Sequence, residues 1–169
     1  MTLYLIRHAE SLSKDQAHVA TDAERPLAPA GMAQTTGVAQ ALKAMNLAPD
    51  RVLTSPLVRA RQTAELLAKH LGAVDRVEIC QALSPDHEPA AFVESLRQLH
   101  PALSRKGGVH VEGVVLAVGH QPYLGHLAAS LIFGEPRDGI VLPPAGVCVI
   151  ELAEFPRSVD AVMRGLWGP

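Results

Sequence analysis

The chain has only two cysteines in 169 residues, Cys80 and Cys148. That is too few for a disulfide framework, and both fall in predicted strands. A small buried hydrophobe in a reducing compartment is the expected role of each. Lysine is scarce as well: Lys14, Lys43, Lys69 and Lys106 are the only ones among 15 basic residues. With a formal net charge of −2, the sequence offers no basic face suited to nucleic acid or to an anionic membrane. No apolar run reaches transmembrane length. Residues 1–6 lead straight into a predicted strand without a basic n-region or cleavage site, so the expectation is a cytoplasmic protein with no signal peptide. Neither a Gly-x-x-x-x-Gly-Lys nor a Gly-x-Gly-x-x-Gly loop occurs, which removes support for nucleotide cradling. No set of histidines and carboxylates has zinc-like spacing, so neither a metal nor another cofactor is expected.

What remains is an ordinary globular composition, 48% hydrophobic and 19% charged. The length suits a single domain over residues 1–169 with a core of its own. After that core is built no long apolar stripe is left over, and the expectation is a monomer. The preference for arginine over lysine fits bidentate gripping of phosphate, and it fits a GC-rich genome equally well.

Predicted strands cover residues 2–6, 51–54, 76–80, 114–118 and 146–152, with helical patterns between them. That alternation implies a three-layer α/β/α sandwich on a mostly parallel sheet. The first long helix spans 31–45, with Val38, Ala41, Leu42 and Met45 at helical spacing. A second runs over 55–71, with Ser55 as N-cap, Pro56 at the first helical position and Gly72 as its stop. Phe92, Val93, Leu96 and Leu99 mark a third. Pro122 opens a fourth, with Leu124, Leu127, Ala128 and Leu131 inward and Gly134 behind it. The runs 146–152 and 160–166, around Phe155-Pro156-Arg157, read as an antiparallel hairpin at the sheet edge. Segments 12–30 and 101–112 read as polar loops.

Two histidines follow apolar runs that lie more than a hundred residues apart. One run is Leu3-Tyr4-Leu5-Ile6-Arg7-His8-Ala9-Glu10; the other is Val114-Val115-Leu116-Ala117-Val118-Gly119-His120-Gln121-Pro122. Both histidines therefore sit at strand C-terminal ends, the edge of an open α/β sheet where ligands bind. Neutral imidazole is a good nucleophile near neutral pH, and an arginine beside it can hold the oxygens of a transferring phosphoryl group. A third segment is Thr54-Ser55-Pro56-Leu57-Val58-Arg59-Ala60-Arg61-Gln62-Thr63-Ala64-Glu65. A helix N-terminus there would favour an anion, with Arg59 reaching back over it and Arg61 on a different, solvated face. Taken singly, Arg7-His8 reads as structural, Arg59 as half of a surface ion pair and His120 as a core histidine. The shared strand-end position of the two histidines, with the arginines nearby, favours one phosphoryl-binding site.

These three strings, in this order and spacing, resemble the histidine phosphatase (phosphoglycerate-mutase-like) superfamily from residue 2 to about residue 150. The short chain, the Arg25-Pro26-Leu27…Gly31 element and the compact 64–119 segment most resemble its SixA-type phosphohistidine phosphatases. The resemblance implies the phosphoglycerate-mutase-like fold and a metal-independent phosphatase. It implies His8 as the nucleophile that becomes phosphorylated, with Arg7, Arg59 and His120 stabilising the transferring group. Arg25 matches an arginine at the pocket rim of small members, either touching phosphate or holding a loop. Larger members carry a carboxylate acid, for which Asp86 and Glu88 are the candidates here and Glu10 an outsider. Gln121 stands where the acid-phosphatase branch has Asp or Glu. A phosphoramidate has a weaker bond to break and a basic leaving nitrogen, so it needs less help from an acid. The expected substrate is phosphohistidine on a partner protein, with a small-molecule phosphomonoesterase and a phosphate-binding protein without turnover as alternatives.

Overall fold

Apolar strands alternating with amphipathic helices build one six-stranded sheet in the computed structural model, which describes residues 1–103, 113–152 and 161–168. In chain order the strands are β1 (Thr2–Arg7), β2 (Arg51–Thr54), β3 (Val77–Ile79), β4 (Val114–Gly119), β5 (Val147–Leu152) and β6 (Ala161–Trp167). The helices are α1 (Lys14–Ala17), α2 (Pro29–Ala44), α3 (Val58–Leu71), α4 (Pro89–Leu103) and α5 (Tyr123–Phe133). Strand order across the sheet is β3-β2-β4-β1-β5-β6. β1 through β4 pair in parallel, while β5 runs antiparallel to β1 and β6 antiparallel to β5. The expected hairpin is thus present at the edge; its turn around Phe155-Pro156-Arg157 lies outside the described residues, as does 104–112 of the expected second loop.

The layers follow from side-chain alternation. Leu3, Leu5, Val115 and Ala117 face one apolar cluster with Phe92 and Leu96 of α4 and Leu124 and Leu127 of α5. Ile6, Leu116 and Val118 face the other, with Val38 and Leu42 of α2 and Ala64 and Leu67 of α3. Strands covered on both faces need no polar side, which is why β1 and β4 read as continuous apolar runs. Helix α3 ends at Gly72 (φ 68°) and α5 at Gly134 (φ 83°), left-handed positions that glycine takes without strain. Cys80 is half-buried beside β3 and Cys148 buried in β5, both as free thiols. Among the described residues, no helix is long and apolar enough to cross a membrane.

Several expected boundaries move: α2 covers Pro29–Ala44 rather than 31–45, the short α1 lies inside the expected 12–30 loop, and α4 runs through Leu103 into the expected 101–112 loop. α3 begins at Val58 with Leu57 as N-cap, not at Ser55-Pro56. Ser55 is still held by the sheet, because its N–H donates to the Val118 carbonyl of β4 at 3.0 Å. The chain therefore leaves the sheet later than the Ser-Pro pair suggests.

Candidate active site

Strand register assembles the site. The β1–β4 pairing sets Arg7 opposite Gly119, so His8 and His120 emerge side by side. The His8 N–H donates to the Gly119 carbonyl at 2.9 Å. On the other flank of β4, Thr54 lies opposite Val118, which delivers Ser55 to the same edge. The two imidazole centroids are 5.1 Å apart, with planes inclined by 57°.

The tautomer of His8 is fixed from both ends. Its Nδ1 lies 2.7 Å from the Ala9 carbonyl oxygen, which can only accept, so Nδ1 carries the proton. Nε2 therefore keeps its lone pair, and the Arg59 Nε–H donates to it at 3.2 Å. Burial pushes the His8 pKa down to about 4; the hydrogen bond to Ala9 opposes this, and the charges of Arg59, Arg7 and Arg25 add to it. Burial, then the neighbouring His8 and Arg59, take His120 down to about 3. Both rings are neutral at pH 7.

His120 is 3% exposed, and its Nε2 lies 2.8 Å from the Ser55 hydroxyl. That hydroxyl also accepts the Leu57 N–H at 3.4 Å and keeps both its hydrogen and a second lone pair. Nδ1 of His120 is buried without a protein partner. Arg7 gives Nη1 to the Leu142 carbonyl at 2.8 Å, while its Nε is the second buried atom without a partner. Buried polar atoms are nearly always satisfied. Finding two such atoms, one of them a guanidinium N–H, on residues that flank the His8 Nε2 marks a place prepared for a bound polar group.

Arg59, 6% exposed, lies in the first turn of α3. Besides meeting His8, it donates Nη1 to the Asp22 carbonyl at 2.7 Å and Nη2 to the Asp22 carboxylate at 2.9 Å. The ion pair expected of an isolated surface arginine thus exists, but on a buried guanidinium that also touches the imidazole. Arg61, by contrast, is a solvent-facing residue 3.9 Å from Glu65. Arg25 donates to the Leu12 carbonyl (2.7 Å), to Asp22 (2.8 Å) and to the Ser11 hydroxyl (2.9 Å), so it ties the 11–25 loop together. Its charge is still felt at His8.

The acid candidates are not brought into this network. Asp86 and Glu88 are exposed and form no hydrogen bond or ion pair with Arg7, His8, Arg59 or His120. Glu88 is near enough to Tyr123 for its charge to add to the burial that raises that phenol. Glu10 is exposed, with its carboxylate 3.5 Å from Gln34. Among the described residues, no three His, Cys, Asp or Glu side chains group in a way that would hold a metal ion.

Sequence reasoning missed several supporting residues. Asp22 bridges Arg25 and Arg59, yet a lone aspartate in a polar loop carries no pattern. Thr63 accepts the Ala9 N–H at 3.2 Å and donates to the Arg59 carbonyl at 2.8 Å, while Gln62 accepts the Leu27 N–H at 2.7 Å. Gln121 donates to the Ile140 carbonyl (3.0 Å) and accepts the Leu142 N–H (3.5 Å), securing the strap whose Leu142 carbonyl holds Arg7. Gln62, Thr63 and Gln121 stood inside the motif strings, so their positions were visible though their partners were not.

A strand-edge pocket of two neutral imidazoles and two arginines, on this sheet order, defines a class of phosphoryl-handling α/β domains. Comparison with known proteins makes the class specific. The sequence profile of the Histidine phosphatase superfamily (branch 1) matches residues 3–85. An uncharacterized protein of Picosynechococcus sp. is 38% identical over 148 residues, covering 87% of this chain and 82% of that one. Phosphohistidine phosphatase SixA of Escherichia coli is 30% identical over 135 residues, 80% of this chain and 76% of that one. The structure of the protein histidine phosphatase SixA complexed with tungstate matches at a TM-score of 0.81 and 26% identity, over 99% of this chain and 97% of that one. The chain belongs to the histidine phosphatase superfamily, with the phosphoglycerate-mutase-like fold of SixA.

Proposed function

We propose that this protein removes a phosphoryl group from phosphohistidine on a partner protein, through a phosphohistidine intermediate on His8. One observation carries the reading: the His8 Nε2 lone pair is exposed to Arg59 Nε while Nδ1 is pinned to the Ala9 carbonyl. An imidazole locked as the Nδ1–H tautomer has one nucleophilic atom, already aimed at a guanidinium that can hold phosphoryl oxygens.

In the first step Nε2 attacks phosphorus in line, and Arg59 passes from the lone pair to a phosphoryl oxygen. The unpartnered Arg7 Nε–H, and His120 with its proton on Nδ1, supply further donors to the equatorial oxygens. The two arginines provide the positive charge that metal ions provide in other phosphoryl transfers. In the second step water attacks the phosphorylated His8, which leaves as the neutral ring that Ala9 holds. A protein substrate is favoured because Asp22, bonded directly to Arg59, keeps 58% of its side chain exposed, so solvent reaches the residue next to the guanidinium. The kinship with SixA, a phosphohistidine phosphatase, points the same way.

The test is turnover of a phosphohistidine-bearing peptide beside p-nitrophenyl phosphate, with acid-quench trapping of labelled enzyme. His8→Ala should lower turnover on the order of a thousandfold or more and abolish the trapped phosphoenzyme. Preference for the aryl ester would instead make the protein a phosphomonoesterase and return attention to Asp86 and Glu88. Phosphate binding with neither turnover nor trapping would make it a binding protein.

A further inference from the structure

Among the described residues, the carboxylate hydrogen-bonded to the arginines of the phosphoryl pocket is that of Asp22, a role that holding Arg59 alone does not exhaust. Asp22 sits on Arg59 through Oδ2 at 2.9 Å and on Arg25 through Oδ1 at 2.8 Å. Arg59 in turn meets the His8 Nε2 at 3.2 Å. The carboxylate is therefore joined to the attacking nitrogen through a single guanidinium, by one hydrogen bond of 2.9 Å and one of 3.2 Å. It is also open to an incoming ligand, with 58% of its side chain exposed. A carboxylate offers about four acceptor positions, and the arginines take two of them.

Building on the proposed function, we propose that Asp22 is the residue that selects a phosphorylated imidazole over a phosphoester, by accepting a hydrogen bond from the distal ring N–H of the substrate. The chemistry balances without a proton donor. The bond from His8 Nε2 to phosphorus forms as the P–N bond of the substrate breaks, and that electron pair returns to the substrate ring. The distal N–H stays where it was, so a protonated phosphoimidazole leaves as neutral imidazole. His8 meanwhile passes from neutral imidazole to phosphoimidazolium. The two rings exchange roles, and each needs an acceptor on its far N–H. For His8 that acceptor is the Ala9 carbonyl at 2.7 Å. For the substrate ring it is Asp22.

The same carboxylate works against an ester. An alkoxide or phenolate leaves with negative charge and is helped by a proton. Arg25 and Arg59 hold the Asp22 carboxyl below the usual carboxylate range, so it stays ionised and has none to give. Its charge instead opposes the charge that develops on the leaving oxygen. Asp86 and Glu88, exposed and outside the hydrogen-bond network of the pocket, do not replace it there.

The experiment compares kcat/KM of wild type, Asp22→Asn and Asp22→Ala on a phosphohistidine peptide and on p-nitrophenyl phosphate, with tungstate affinity measured on each protein. Asp22→Asn still offers Arg59 a side-chain oxygen, and Nη1 keeps its bond to the Asp22 backbone carbonyl. The expected result is a fall of about tenfold or more in the ratio of phosphohistidine to aryl-phosphate turnover, the loss of one hydrogen bond between charged groups. That fall should exceed any weakening of tungstate binding. If both substrates and tungstate weaken by one common factor, Asp22 only holds Arg59 and the proposal is overturned. An unchanged ratio in both variants also overturns it. Wild type that hydrolyses the aryl phosphate but not the phosphohistidine peptide would overturn the functional reading itself, a result separable from the other two.

Discussion

Ser55 illustrates how much a single atom decides at this site. Its hydroxyl is bonded to Nε2 of His120, a ring that is 3% exposed and whose other nitrogen has no protein partner. Ser55→Ala leaves Nε2 unpaired at a cost of about 1–3 kcal/mol and frees the ring to carry its proton on either atom. We expect kcat on p-nitrophenyl phosphate to fall about tenfold. A ¹⁵N spectrum of the His120 ring should lose its single-tautomer pattern; an unchanged spectrum would mean that Ser55 does not set the tautomer. At this scale the sequence disclosed identities more than partners. Arg7, His8, Arg59 and His120 stood out by position, whereas Ser55 read as a helix cap and Asp22 did not stand out at all. A Ser-Pro pair before an apolar-periodic stretch has the local chemistry of a cap; only the Val118 carbonyl of a distant strand keeps Ser55 in the sheet.

Between elements, the decisive contact is α5 against the 139–142 strap. A Cβ on Gly125 would come within 2.1 Å of the Ile140 carbonyl oxygen, so the strap passes directly over the helix. There the Gln121 amide acts as a backbone surrogate, donating to Ile140 and accepting from Leu142. His126 adds a 2.9 Å bond to Asp138 farther along the same segment. Because Leu142 holds Arg7 Nη1, the strap aims a guanidinium. Gln121→Glu keeps the shape but sets an acceptor against the Ile140 carbonyl. We expect tungstate affinity to fall by about tenfold, one hydrogen bond's worth, with the loss carried in KM more than in kcat on p-nitrophenyl phosphate. Retained affinity would show that Arg7 holds its place without the strap. The opposite flank is equally tight. A Cβ on Gly31 would sit 2.0 Å from the Glu10 carbonyl, and the Ala28 N–H donates to that same carbonyl at 2.9 Å. The Arg25-Pro26-Leu27…Gly31 element is thus the part of the chain that lets α2 press against the loop following His8.

For the molecule as a whole, two neutral histidines on a buried sheet edge make stability depend on pH. In the folded protein His8 titrates at about 4 and His120 at about 3. In the unfolded chain both take up protons near pH 6.5. Between those limits the unfolded state binds more protons, so stability rises with pH and is lost as pH falls from about 6.5 through 4. The slope approaches about 1.4 kcal/mol per pH unit for each histidine inside that window. Urea unfolding midpoints measured from pH 7 to 4 should decline accordingly, and His120→Asn should decline less steeply. A wild-type midpoint that is flat across the window would refute the assignment of neutral, desolvated rings.

The sequence by itself determined the alternation of elements, the doubly covered sheet and the four residues at its edge. Those are encoded locally, in periodicity, in stop residues such as Gly72 and Gly134, and in short strings with a characteristic order. Only the tertiary structure decided which of the remaining polar groups belong to the site. Strand register set Ser55 beside His120, loop closure carried Asp22 onto Arg59, and the strap over α5 brought Leu142 to Arg7. Asp86 and Glu88 were drawn into consideration by residue type, and the fold left them exposed and unbonded to the pocket. Hydrogen-bond partners so distant along the chain are selected by packing, and packing has no period for a sequence to display.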